Sequence, residues 1–502
     1  QRSPRQWWAL IALTVPVLLM SIDLTVLSTA VPSLSEDLAP SAAQLLWIID
    51  VHGVFMAGLL VTMGSLGDRI GRRRLLMIGA LAFGAASALA AFSWNAEVLI
   101  AARALLGLGG ATLMPSTLSL IRAVFTDPEQ RRRAIAVWAA AFAGGAGLGP
   151  IVGGLLLEHF WWGSVFLINL PVMLLLLVLG PRLLPESKDP DPGPFDIGSA
   201  LLLTAAVLAL IFGIKEMGKH GWALTPLVLL LAGGLLTALF AVRQSRLAHP
   251  LIDIKLFRSL PFTVAVLANV AGVFAMTGVL YFFPQYIQIV LGYSPLQAGL
   301  WSLPIAAGAV LGALVVPAIA HRLPVGWVIG IGLAAAAVGY LTRSMLGVDG
   351  VMSVAFAGGA LIGGGVGMAE TLANDVIIGT APPEKAGAAA GISETAYGFG
   401  GALGTAVLGS IGTGLYLSLM LADLSAQTPD AVTDAATETL GAAGQAAQLP
   451  DGEAQSFLSL VNGAFVDAMT QTFTIAALIV GAAALTGFLA LRHHRHTAAD
   501  HH

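Results

Sequence analysis

The sequence predicts an all-α integral membrane protein with fourteen transmembrane helices. Three observations predict it. Of 502 residues, 57% are hydrophobic and only 10% are charged, with mean hydropathy +0.85. A soluble chain carries about 25% charged residues, so this one lacks the side chains to cover a water-facing surface. The apolar residues run continuously for about 20 or more positions, the length a helix needs to cross the hydrocarbon. A membrane β-barrel would show short alternating segments instead. Finally, the cations take sides. With the N-terminus in the cytoplasm, all 24 Lys and Arg fall on the inner side except Lys215, Lys219 and Arg343, outside, and Arg103, within a span. That is the positive-inside pattern. It sets both termini in the cytoplasm and checks the span count, because a missed span would scramble the alternation after it.

The elements follow in order. Span 1 (8–31) ends in SIDLTVLSTAVP; it is too long, and too polar at its end, for a cleaved leader. Span 2 (44–66) carries Trp47 and Asp50, and span 3 covers 75–94. Span 4 (97–121) holds Arg103. Span 5 (134–157) is glycine-rich, with Trp138 and Phe142, and span 6 covers 163–184. The charged, proline-rich PESKDPDPGPFD (185–196) reads as a linker, leading to spans 7 (196–215) and 8 (222–243). Span 9 (261–290) offers Phe274, Tyr281, Phe283 and Tyr286. Spans 10 (297–320) and 11 (325–345) precede span 12 (350–379), with Glu370, Asn374 and Asp375, and span 13 (386–419), with Glu394 and Tyr397. The acidic, Ala-rich stretch 422–464 lies outside, as a cap over a vestibule or a solvated loop. Span 14 covers 465–491.

An internal echo suggests the domain plan. GGAGLGPIVGG (144–154) in span 5 aligns with GGALGTAVLG (400–409) in span 13, setting Gly145 on Gly400 and Gly154 on Gly409. Spans 9–14 then repeat spans 1–6. This gives an N-terminal six-helix bundle (1–184), a linker with an inserted pair (185–248) and a C-terminal bundle (249–502). Repeated bundles with a site at their interface are a common transporter plan.

The charges within the spans mark candidate sites. A carboxylate at mid-bilayer costs about 2.5–3.5 kcal/mol on insertion scales, so Asp23 needs a cavity or a partner. Asp23 is about eight residues from the outer end of span 1 and Arg103 about six from that of span 4; at ~1.5 Å per residue the depths agree within a turn. Asp50 lies at similar depth. Glu370 and Asn374, four apart, share a helix face. A buried carboxylate set against a guanidinium suits proton exchange, and the surplus of in-span acids over one Arg points to cationic cargo. Aromatic faces attract such cargo by about 0.5–2 kcal/mol each. Trp47, Trp138, Phe142, Phe274, Tyr281, Phe283, Tyr286 and Tyr397 are candidates.

The motifs resemble those of the major facilitator superfamily, and within it the fourteen-span drug/proton antiporters of the QacA type. GSLGDRIGRRRLL (64–76) is similar to the superfamily's loop motif, with Gly64, Asp68, Arg69, Gly71, Arg72 and Arg73 in place. RALLGLGGA (103–111) resembles the R-x-x-x-G-x-G-G motif of span 4. GGAGLGPIVGG matches the antiporter pattern of span 5 at Gly145, Gly149, Pro150, Gly153 and Gly154. The opening stretch matches the fourteen-span signature at Asp23, Thr25, Val26, Ala30 and Pro32, with Ser28 where the pattern usually has Asn. FLINLP (166–171) and HPLIDIKLF (249–257) also resemble family stretches. The resemblance implies the major facilitator fold, a loop motif that latches the two bundles on the cytoplasmic side, a kinked span 5 that seals against proton leak, and a bacterial cytoplasmic-membrane location.

The expected function is proton-coupled export of lipophilic cations by alternating access. Asp23 tuned by Arg103 is the proton carrier; Asp50 and Glu394 are coupled carriers or cation-attracting groups, and Glu370 with Asn374 is a further cargo contact. The alternatives are a narrow-substrate exporter of an antibiotic, siderophore or lipid-like metabolite, and a passive channel or uniporter. No enzyme motif is present: there is no HExxH, nucleophile elbow, nucleotide loop or metal-spaced His pair. His52, His159 and His220 stand isolated, and the chain has no Cys. No cofactor beyond the proton gradient, no metal and no nucleic-acid partner is expected, and the transporter should act as a monomer among lipids.

Overall fold

In the computed structural model the described residues are 4–187, 196–220, 223–247, 250, 254–319, 322–380, 386–423 and 451–492. They form helices with no strand among them. The helices fall into fourteen rods. These are α1 (Pro4–Leu38), α2 (Ala42–Ile70), α3 (Arg72–Ala91), α4 (Ala96–Val124), α5 (Pro128–His159), α6 (Ser164–Leu183), α7 (Ile197–His220), α8 (Leu224–Arg246) and α9 (Leu260–Val290). Then come α10 (Pro295–Leu300 continuing as Leu303–Ile319), α11 (Val325–Arg343), α12 (Met352–Thr380), α13 (Ala386–Gly404, Thr405–Gly409 and Ser410–Asp423) and α14 (Asp451–Leu491). Among the described residues, thirteen helices are long and apolar enough to cross a membrane. Taken with the 32-residue α5, they are consistent with fourteen spans. Of the stretch 422–464, residues 424–450 lie outside the described set, whereas 451–464 are the first turns of α14.

Local chemistry sets the rod ends. Ser41 and Gln44 form a reciprocal capping box at the start of α2, Asn95 caps α4 through the Val98 amide at 2.8 Å, and Asp127 caps α5 through that of Gln130 at 2.9 Å. Each satisfies an amide that the helix leaves without a partner. The α2–α3 turn rests on Gly71, whose φ of 107° lies in the left-handed region that glycine alone adopts freely.

Among the described residues two large hydrophobic cores result, with a small third cluster of Val54, Val207, Ile211 and Ala406 between α2, α7 and α13. One is built from residues between Ala9 and Leu184, the other from residues between Leu256 and Leu491, joined by Leu46 of α2. The inserted α7–α8 pair packs on itself and, through α7, on α2 and α13; Trp47 of α2 meets Phe212 of α7 at 5.6 Å. Lipid offers no hydrophobic drive between helices, so close backbone approach at small residues does the packing. On α4, Gly107 faces the His52 carbonyl and Phe55 of α2, Gly109 faces Phe83 of α3 and Gly110 faces Met20 of α1; a Cβ on Gly107 would stand 2.9 Å from Phe55 Cβ. One short motif thereby seats α4 against three neighbours.

Four close approaches between the bundles gather at the end that carries the α1–α2 turn. Gly154 of α5 lies against Leu296 of α10, where a Cβ would stand 2.5 Å from the Leu296 Cα. Gly299 of α10 lies against Pro150 of α5, and Gly409 of α13 against Leu46 of α2. Gln288 Nε2 of α9 donates to the Thr29 carbonyl of α1 at 3.2 Å.

One sequence expectation needs correction. Arg343 was placed with the outer cations, yet it is fully buried at the last turn of α11. Its Nε and Nη2 donate to the Ala355 carbonyl at 3.2 and 3.0 Å, and its guanidinium lies 3.7 Å from the centre of the Phe283 ring. The charge is held by α12 and an aromatic face rather than by water.

Candidate functional site

Asp23 and Arg103 meet, as their depths require. Arg103 Nη1 donates to Asp23 Oδ2 at 2.8 Å, and both side chains are 1% exposed, so the ion pair is sealed from solvent on all sides. A bare pair at this depth would not repay its desolvation; it needs further hydrogen bonds to fill the remaining lone pairs and protons. The chain supplies them. Arg103 Nε donates to the Ile48 carbonyl at 3.0 Å and Nη2 to that of Ile49 at 3.4 Å. Asn169 Nδ2 of α6 donates to Asp23 Oδ1 at 3.1 Å and to Ser87 Oγ of α3 at 3.2 Å. His52 Nδ1 of α2 lies 3.0 Å from Arg103 Nη1 and 3.1 Å from Asp23 Oδ2. The network ties α1, α2, α3, α4 and α6 together.

His52, Asn169 and Ser87 were not among the expected site residues. His52 was read as isolated because it has no sequence neighbour of metal-ligating spacing. The usable signal was depth: it lies one turn beyond Ile48, at the level of Arg103. Asn169 sits in FLINLP, a stretch noted as family-like without a role.

His52 can bond in two ways. Deprotonated at Nδ1 it accepts from Arg103; protonated there it donates to Asp23. Its Nε2 is buried with no partner among the described residues.

The other expected residues are dispersed along the bundle interface. Asp50 is buried, 3% exposed, and lies near enough to Arg103 and to Tyr281 of α9 for its charge to act on both. Trp138 and Phe142 of α5 stack at 6.3 Å with planes 9° apart, and Phe142 meets Tyr397 of α13 edge-on at 6.0 Å. Trp138 Nε1 donates to Thr117 Oγ1 at 3.1 Å, which fixes that wall. Glu370 of α12 packs on Gly272 of α9, and Asn374 bonds Asn269 and Ser393. The side chain of Glu394 lies outside the described residues.

Four of the aromatics are packed into the C-terminal core, Tyr281 among them at 8% exposed. Phe274 is 5% exposed and Phe283 and Tyr286 are fully buried. Phe283 already faces a cation, Arg343, and the Tyr286 hydroxyl donates to the Gly347 carbonyl at 2.6 Å.

The loop motif holds its own bundle together. Arg72 N donates to the Ser187 carbonyl at 2.9 Å, and Arg73 N donates to Glu186 Oε1 at 3.0 Å. Arg73 Nη1 donates to the Leu184 carbonyl at 3.1 Å, closing the end of α6. Glu186 is the anion at the start of α3, where the helix dipole favours one. Gly64 lies 3.6 Å from Pro115 of α4, measured from a placed Cβ. The Asp68 side chain, expected to act as a latch, lies outside the described residues, and Arg69 makes its turn at the end of α2.

On α5, Gly145, Gly149 and Gly153 all face α1. A Cβ at Gly145 would stand 2.8 Å from Ser21 Cβ, one at Gly149 3.0 Å from Thr25 Cβ, and one at Gly153 2.8 Å from Val26 Cγ2. The opposite side of the same helix, Pro150 and Gly154, meets α10. The glycine helix is thus a thin plate between Asp23's helix and the other bundle. Among the described residues, no cluster of His, Asp or Glu suits a metal ion.

Comparison with known proteins agrees with this architecture. Residues 14–405 match the profile of the Major Facilitator Superfamily. The chain is 46% identical, over 98% of its length and 97% of the relative, to the multidrug efflux pump LfrA of Mycolicibacterium smegmatis. It is 37% identical to the methyl viologen resistance protein SmvA of Salmonella typhimurium, covering 92% of this chain and 93% of that one. It is 33% identical to the tetracenomycin C resistance and export protein of Streptomyces glaucescens, covering 96% and 91%. Among solved structures, a bacterial homologue of the human lysosomal transporter Spinster, inward-facing and unoccupied, superposes with a TM-score of 0.69 at 16% identity, covering 99% of this chain and all of that one.

Proposed function

We propose that this chain, which belongs to the Major Facilitator Superfamily and is a multi-pass membrane transporter rather than an enzyme, exports lipophilic cations from the bacterial cytoplasm in exchange for protons. The observation that carries the reading is the sealed Asp23–Arg103–His52 network. A proton reaching Asp23 cancels its charge and frees Arg103 Nη1, for which His52 Nδ1 already stands at 3.0 Å as a second acceptor. Protonation therefore moves one hydrogen bond within the network instead of leaving a buried guanidinium bare. Arg103 also grips the Ile48 and Ile49 carbonyls of α2, and the next residue, Asp50, lies near Tyr281 of the other bundle. A change of charge on α1 is thereby felt on the helix that borders the cavity.

Cargo is read from the cavity and the relatives. Trp138, Phe142 and Tyr397 offer aromatic faces from both bundles, and Asp50 offers a negative charge near Tyr281. Two relatives are named for multidrug efflux and methyl viologen resistance, the latter a doubly charged aromatic cation. With both termini in the cytoplasm, the four close inter-bundle approaches lie on the outer side, and α2 with the Ala386–Gly404 segment of α13 carries the contact between the bundles further inward. The membrane potential contributes about 2.3 kcal/mol per 100 mV for each net charge that enters, so it drives the exchange only where more proton charge enters than cargo charge leaves.

The test is efflux of ethidium from proteoliposomes under an imposed pH gradient. Asp23→Asn abolishes gradient-driven efflux; wild-type rates in that variant would refute Asp23 as carrier. A second reading, a narrow exporter of one antibiotic, is favoured by the tetracenomycin C relative. A panel of cations and neutral polyketides separates the two.

A further inference from the structure

The polar groups of the C-terminal bundle take no part in the Asp23 network, yet they build a niche of their own. Asn269 Nδ2 of α9 donates to Asn374 Oδ1 of α12 at 3.1 Å and to Ser393 Oγ of α13 at 2.9 Å, and the Ser393 hydroxyl donates in turn to Asn374 Oδ1. Because α9 and α12 run antiparallel, Gly272 meets Glu370 one turn further along both helices. A Cβ on Gly272 would stand 3.1 Å from Glu370 Cγ and 3.2 Å from its Oε1, so the glycine leaves the room that the carboxyl fills.

Two acceptors in this niche have no donor among the described residues: Glu370 Oε1 and Asn269 Oδ1. Folded proteins rarely leave such groups unsatisfied, and each instance asks for an explanation. Here there are two, one turn apart where α9 packs on α12. Asn269 is fully buried, and Glu370 and Asn374 are half-buried. Acceptors without donors select a ligand that brings N–H groups. Among oily cations this divides two classes: a protonated amine carries charge and N–H donors, whereas a quaternary ammonium carries charge alone.

The geometry points to this niche as an amine subsite, in which Glu370 Oε1 accepts from the ammonium N–H of protonated-amine cargo and Asn269 Oδ1 takes a second N–H or a water bridging to it. The inference rests on the reading of cationic cargo given above and deepens it, by assigning the head group that the C-terminal bundle recognises.

Two dansyl probes differing by one methyl group, one ending in a protonated dimethylamine and the other in trimethylammonium, are titrated onto purified protein and then assayed for export from proteoliposomes. Glu370→Met weakens binding of the protonated amine by about 10–100-fold, the range of a lost charge-assisted hydrogen bond. The quaternary probe loses only the Coulombic attraction, so it weakens by at least about threefold less than the amine, and its retained binding shows that the variant is folded. Glu370→Gln keeps a carbonyl acceptor and recovers part of the amine affinity. Equal losses for both probes, or none for either, overturn the subsite. The titrations need no proton gradient. A wild type that binds both probes and exports neither would therefore defeat the export reading while the binding ratio still decides this one.

Discussion

Replacing Asn169 by Leu should cost this protein more than an ordinary interhelical hydrogen bond. Asn169 Nδ2 is 3.1 Å from Asp23 Oδ1 and 3.2 Å from Ser87 Oγ, in a site where all three residues are about 1% exposed or less. Leucine fills similar volume and removes both donors' worth of contact. Neutral polar pairs between transmembrane helices contribute only about 0.6 kcal/mol on average, because the unfolded helices find other partners in the membrane. The Asp23 bond differs: its acceptor is ionised and water cannot reach it, and hydrogen bonds to charged groups contribute about 1.5–3 kcal/mol. A double-mutant cycle of Asn169→Leu and Asp23→Ala, read by reversible unfolding in mixed micelles with SDS, isolates that coupling. The expected coupling is about 1.5–3 kcal/mol. A coupling at or below about 0.6 kcal/mol would mean that the bond is no better than a neutral one, and that Asp23 is not held as a carboxylate by its neighbours.

Two further predictions concern other parts of the molecule. In the Cys-free chain, Gly154→Ala places a methyl group 2.5 Å from the Leu296 Cα; overpacking of this kind costs about 1–3 kcal/mol, so thiol labelling of Gln288→Cys, whose native side chain bonds across the same interface, should accelerate by roughly 5–160-fold. Asp196, at the start of α7, is held at a pKa of about 2, chiefly by its hydrogen bond to Arg243, against an ordinary 3.8. Its contribution to docking α7 on α8 is present above about pH 4 and fades as pH falls through 2. Acid unfolding should lose that part of its pH dependence in Asp196→Asn.

The fold was readable because its determinants are coarse. A span announces itself by length and apolarity, and the alternation of cations corrects miscounts. The Asp23–Arg103 pair was readable for an energetic reason: a lone carboxylate in lipid is expensive, and only one in-span cation lay at its depth. The neutral members of the same network were hidden, because Asn169, Ser87 and His52 are cheap enough to face lipid headgroups, cavities or one another. Nothing in their spacing says which. Arg343 shows the converse error. At the end of an apolar run a cation reads as a loop residue, yet α11 buries it under Phe283 with its charge directed to a helix-end carbonyl. Glu186 was hidden in a linker chosen for its prolines, although its carboxylate accepts from the Arg73 amide at the start of α3.

The glycine echo carries further than its length suggested. Gly145 packs on α1 and its counterpart Gly400 packs on α9, at the Val270 carbonyl. Gly154 meets Leu296 of α10 across the bundle interface, and its counterpart Gly409 meets Leu46 of α2 across the same interface. Each bundle therefore offers one glycine helix that lies on its own first helix and touches the second helix of the other. Of the ten aligned positions five differ, and one of these bears on the helix backbone. Where α5 has Pro150, which removes a backbone donor, α13 has Thr405, the first residue of a π-helical turn through Gly409. Both devices loosen the hydrogen-bond ladder beside the contact, by different chemistry. A joint made of bare glycine against a leucine has no side chain to unlock and two weakened helices on which to hinge. That is the construction expected of an end that must open and close in every cycle.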